Sequence, residues 1–73
     1  MRYPVVIAKG ERNYSAYVPD LPGCVSVGDT LEEVKVEIRQ AIEFHLEGMR
    51  EDGLPILKPS SRVEYVEVGE QAA

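Results

Sequence analysis

The segment Tyr14–Thr30, YSAYVPDLPGCVSVGDT, leaves the chain little freedom in how it folds. Tyr14–Val18 alternates and is rich in aromatic and β-branched residues, which suits a strand. Pro19, Pro22 and Gly23 stop it. Pro22 presets φ and Gly23 can take a positive φ, the pair that a type II turn asks for. Cys24–Val27 then reads as another strand, antiparallel to the one before the bend. Thr30, with Glu33 three residues on, matches a capping box that opens a helix, Asp29 being the rival N-cap.

The flanks follow from this centre. Tyr3–Lys9, YPVVIAK, is a strand apolar on both alternating sides, the mark of a strand covered on both faces. Gly10–Asn13 is a polar connection of hairpin length. After the bend, Leu31, Val34, Ile38, Ala41, Ile42, His45 and Met49 recur at the helical period and predict a helix from Leu31 to about Asp52. Gly53 and Pro55 end it. A helix of that length is about 33 Å long, whereas a six-residue strand spans about 20 Å, so the helix overhangs the sheet. Gly53–Ser61 is a loop, Arg62–Val68 (RVEYVEV) a final strand and Gly69–Ala73 a flexible tail. The expected architecture is a single α+β domain over residues 1–73. Its order is βββαβ: a four-stranded mixed sheet with one long helix on one face.

Composition narrows the function classes. A chain of 73 residues buries only about 60% of its unfolded surface and gains from oligomerisation. One cysteine, Cys24, can form neither an internal disulfide nor a zinc site. No secretion signal and no run long enough to span a membrane is visible, so the expected location is the cytoplasm. A formal net charge of −5 disfavours nucleic acid and anionic lipid and is compatible with a basic protein partner.

The chemistry-bearing residues form no catalytic set. His45 is the only histidine, and it falls on the apolar stripe of the helix, away from Glu43 and Glu47. Cys24 reads as a small buried hydrophobe without a nearby cation to activate it. The carboxylates are spaced as a solvated helix face, and the glycines are isolated rather than gathered into a phosphate loop. No catalytic, cofactor-binding or metal-binding residue is expected, and no enzyme. Val36 and Phe44 break the apolar stripe and lie on the back of the helix.

Taken together, Pro19–Cys24, Gly28–Glu33, Ala41–Leu46 and Gly53–Ser60 resemble the motifs of the HicB-like antitoxins over most of the chain. The family motifs are a P-D-L/F-P-G-C bend, G-D-T-x-E-E opening a helix, an A-I stretch and a Pro-Ser loop. Leu57 stands where the family often has proline, and Val34 and Val36 stand where alanine is common. The resemblance implies a partial RNase H-like fold and the antitoxin half of a toxin–antitoxin pair. It further implies a small basic mRNA-interferase toxin that the antitoxin binds and blocks. Longer family members add a C-terminal domain that binds operator DNA. This sequence ends after its last strand, which leads to the expectation of no direct DNA binding. The strand Tyr3–Lys9 also lacks the carboxylate that an RNase H enzyme carries there.

The expected partner-binding residues are Val36 and Phe44 on the helix back and Asp20 and Leu21 in the bend. The expected assembly is a homodimer or higher even oligomer, because one helix covers only one face of the sheet. The alternative reading is a homo-oligomeric interaction or ligand-binding module without a toxin.

Overall fold

The structure, a computed structural model, describes residues 1–70; the last part of the tail expected at 69–73 lies outside the described residues. Three strands, β1 (Val6–Lys9), β2 (Tyr14–Tyr17) and β3 (Val25–Gly28), are followed by one helix, α1 (Leu31–Glu51). The sheet is antiparallel in the order β1-β2-β3. Its register places Ile7 beside Ala16 and Ala16 beside Ser26, and likewise Val6 beside Tyr17 and Tyr17 beside Val25. Successive strand side chains alternate between faces. The row Ile7–Ala16–Ser26 therefore looks inward and the row Val6–Tyr17–Val25 outward. The helix packs across β3 and β2 on the inner side.

Local chemistry explains each boundary. The bend closes through two successive turns, Leu21 N–H donating to the Val18 carbonyl and Cys24 N–H to the Leu21 carbonyl. Pro22 and Gly23 occupy the two central positions of the second turn. Gly23 has φ +82°, the left-handed value that position demands. Thr30 is the N-cap: Glu33 N–H donates to its Oγ1 at 3.1 Å, and the Glu33 carboxylate accepts from Asp29 N–H at 3.3 Å. At the other end Gly53, φ +70°, lets its N–H reach the Arg50 carbonyl and Leu54 N–H reach that of Met49, a Schellman closure.

The core is small and gathers under the bend. Ala16, Val18, Leu21, Cys24, Val34 and Ile38 are buried, and Tyr3, Val5, Ile7, Ala41, Ile42 and Leu46 pack around them. Leu31, expected on the apolar stripe, is 39% exposed because it precedes the turn that first meets the sheet. Gly28 sits where β3 meets the helix. A Cβ there would lie 2.6 Å from the Val34 backbone nitrogen and 3.0 Å from its Cα. Gly28→Ala must push the helix off the strand, at a cost of about 1–3 kcal/mol. Urea denaturation should show the lower midpoint; an unchanged midpoint would mean that the helix start yields freely.

The expected fourth strand is not formed among the described residues. Arg62–Val68 is exposed throughout and carries no strand pairing, so the observed order is βββα. Its β-branched composition favours extended backbone, but composition does not decide which edge a strand pairs with. The loop before it is tied down: Tyr3 donates its hydroxyl hydrogen bond to the Leu57 carbonyl. No described helix is long and apolar enough to cross a membrane.

Candidate partner interface

The bend holds two of the expected contact residues, and the structure assigns both to the fold. Leu21 is completely buried, with the turn 18–24 wrapped around it. This corrects the expectation that it contacts a partner. Sequence spacing marks a turn but does not say which turn side chain points inward. Asp20 is engaged from within the chain. Its carboxylate accepts hydrogen bonds from the backbone N–H and the hydroxyl of both Ser60 and Ser61, at 2.7–3.2 Å. It thus anchors the segment leading to Arg62–Val68 rather than facing solvent as a free contact.

The Ser61 hydroxyl, followed by the other Ser60 and Ser61 donors, holds the Asp20 carboxyl below its usual range, against a partial loss of hydration that works the other way. A carboxyl depressed in the folded state contributes its anchoring fully above the unfolded value, about 3.9. That contribution is lost only as pH falls through the lower folded value. Ser60 and Ser61 amide shifts followed by NMR should therefore titrate with a midpoint below that of a free aspartate. A midpoint at or above it would show that the anchor does not hold in solution.

The helix back is different. At about 100° per residue, Glu33, Val36, Glu37, Gln40, Glu43, Phe44, Glu47 and Glu51 share one broad face. Lys35, Arg39 and Arg50 fall outside it. Val36 is 54% and Phe44 79% exposed. Phe44, Glu47, Gly48 and Glu51 line a shallow depression on this face. Among the described residues the helix makes one ion pair on this side, Arg39–Glu43, at 3.3 Å between exposed side chains. The outcome is an apolar anchor set among acidic groups. Val36 and Phe44, the expected contact residues of the helix, are thus surrounded by glutamates.

Cys24 and His45 lie elsewhere in the fold. Cys24 is a free, buried thiol whose burial pushes its pKa up, away from reactivity. His45 is half-buried and, with Met49 and Leu54, lines the hollow where the helix overhangs the sheet. Among the described residues no group of three or more His, Cys, Asp or Glu side chains is placed to hold a metal ion.

Comparison with known proteins gives the family of the chain. The family described as the HicB-like antitoxin of bacterial toxin–antitoxin systems matches residues 3–72. An uncharacterised 14.9 kDa protein of Haemophilus phage HP1 is 44% identical over 66 residues, covering 90% of this chain and 50% of that protein. A UPF0150 protein of Helicobacter pylori is 43% identical over 58 residues, covering 80% of this chain and 81% of its own length. Antitoxin HicB 2 of Photorhabdus laumondii is 34% identical over 68 residues, 88% of this chain and 49% of that protein. The chain thus spans about half the length of the phage protein and of the Photorhabdus antitoxin. Among solved structures, a chain of the HicA3 and HicB3 toxin–antitoxin complex superposes with a TM-score of 0.70 at 28% identity. The match covers 82% of this chain and 70% of that one.

Proposed function

Because the chain belongs to the HicB-like antitoxins of bacterial toxin–antitoxin systems, we propose that it binds a small basic toxin and holds it inactive. The toxin class we assign is an mRNA interferase, acting in the cytoplasm, and the mode is occlusion: the antitoxin covers the surface the toxin uses on RNA. The chain contributes binding rather than catalysis.

The observation that carries this reading is the acidic face of α1 with Val36 and Phe44 exposed on it. An RNA-cleaving protein must present positive charge to phosphate, and a row of glutamates matches the same surface. Long-range attraction speeds the encounter, and apolar anchors slow the release. Phe44 and Val36 are the anchors, with Glu37, Glu47 and Glu51 around them. Asp20 acts at one remove, by fixing the loop at Ser60 and Ser61, and Leu21 by filling the core beneath the bend.

Co-expression tests it. Growth arrested by the basic toxin of its own toxin–antitoxin pair should recover when this chain is produced alongside. With purified proteins, association should slow as salt rises, since charge steering is screened over about 10 Å at 0.1 M. Growth that stays arrested despite soluble, folded antitoxin would refute the proposal.

A further inference from the structure

We propose that the notch at Gly48 is a socket for one arginine side chain of the basic partner. The inference rests on the antitoxin reading and names the chemistry by which that partner is held.

Among the described residues nothing calls for glycine at position 48. It lies inside α1, where glycine weakens a helix relative to alanine. Its φ is not positive, unlike those of Gly23 and Gly53. The helix end is made by Gly53, and the Gly48 carbonyl accepts from Asp52 N–H at 3.0 Å as any residue could. A Cβ at Gly28 would collide with the helix backbone, whereas a Cβ at Gly48 would meet no atom within 4 Å. The missing side chain therefore leaves open space on the surface.

That space has walls. A hollow of about 410 Å³ is lined by Phe44, His45, Gly48, Met49, Asp52 and Leu54. A smaller depression of about 140 Å³ is lined by Phe44, Glu47, Gly48 and Glu51. The two share Phe44 and Gly48, so the bare backbone at Gly48 is the saddle between them. Leu54 is fixed as the far wall by its N–H, which donates to the Met49 carbonyl at 2.9 Å. Phe44 and Leu54 are both largely exposed, so the socket keeps apolar surface in water until something covers it.

Charge names the occupant. Glu47 and Glu51 stand at one mouth and Asp52 at the other, and among the described residues none of the three is in an ion pair. The cations of the helix, Lys35, Arg39 and Arg50, lie more than about 130° round the axis from Gly48. An apolar slot with carboxylates at its mouths fits a side chain with an apolar stem and a cationic head. The exposed ring of Phe44 decides for arginine over lysine. A planar guanidinium stacks on an aromatic face and sheds water more readily than an ammonium, and its fork can bond a carboxylate through two N–H groups. With no Cβ at Gly48, the stem can lie flat against the helix.

The test measures stability and binding on the same variants of the full chain. Gly48→Ala should raise the urea midpoint of the free protein, because a better helix former enters open space. It should also bind the toxin of its own pair more weakly than wild type, so the loss is not a folding defect. Gly48→Leu should keep the helical circular dichroism and fill the socket. Calorimetry should show its affinity for that toxin about tenfold or more below wild type. Replacing each toxin arginine by lysine in turn should find one that costs wild type the same affinity and costs Gly48→Leu little more. Gly48 variants that bind as tightly as wild type would overturn the socket and leave the antitoxin reading standing; a wild type that binds no toxin would overturn both. A loss coupled to no arginine would give the hollow to an apolar side chain, and a changed mass in light scattering with affinity unchanged would give it to a second copy. Either result would overturn the proposal.

Discussion

Leu21→Ala should be the most damaging conservative truncation in this protein, lowering stability by about 2–5 kcal/mol. The side chain is completely buried, and it is the one around which two consecutive turns close. Its neighbours Val18, Cys24, Val34 and Ile38 come from the bend and from the helix, so the cavity would open between the two. A domain of this size has a total stability of about 4–11 kcal/mol, and the loss is a large part of it. Urea denaturation should show a much lower midpoint, whereas Val36→Ala, at a half-exposed helix position, should stay within about 0.5 kcal/mol of wild type. Equal effects at the two positions would contradict the assignment of Leu21 to the core.

The largest effect on function is expected from Phe44→Lys. The change removes an exposed aromatic side chain and sets a positive charge among Glu37, Glu47 and Glu51, where the proposed function docks a basic partner. An aromatic anchor is worth about 2 kcal/mol or more, so affinity for the toxin should fall by at least about thirtyfold, chiefly through faster dissociation. The charge reversal should also flatten the salt dependence of association. Stability should barely move, because Phe44 is 79% exposed and no core residue packs on it. Calorimetric titration of wild type and variant checks this; an unchanged affinity would move the interface off the helix back.

Much of this fold is legible from short-range chemistry. Pro22 and Gly23 specify their turn because one presets φ and the other accepts the left-handed region. Thr30 and Glu33 specify the helix start, Gly53 its end, and Val34 and Ile38 the buried stripe. Each of these is settled within a few residues along the chain. What was not legible depends on contacts across the fold. Asp20 meets Ser60 and Ser61 forty residues away, and a solvent-facing turn aspartate looks the same in sequence as one that anchors a distant loop. Leu21 shows the converse, an apolar turn residue whose direction only packing decides. RVEYVEV reads as extended backbone, but its composition does not decide whether it pairs, and in the structure it does not. The proposed partner surface is half legible: the exposed Phe44 and Val36 follow from the helical period, while their acidic surround emerges once the whole face is laid out.

The account is tested most directly by titrating this protein into an RNA-cleavage reaction of the toxin from its own pair, at physiological salt. It predicts that cleavage falls linearly and stops near stoichiometric addition, and that Phe44→Lys shifts the curve to large excess. Cleavage that continues undiminished under saturating, folded wild-type protein would contradict it.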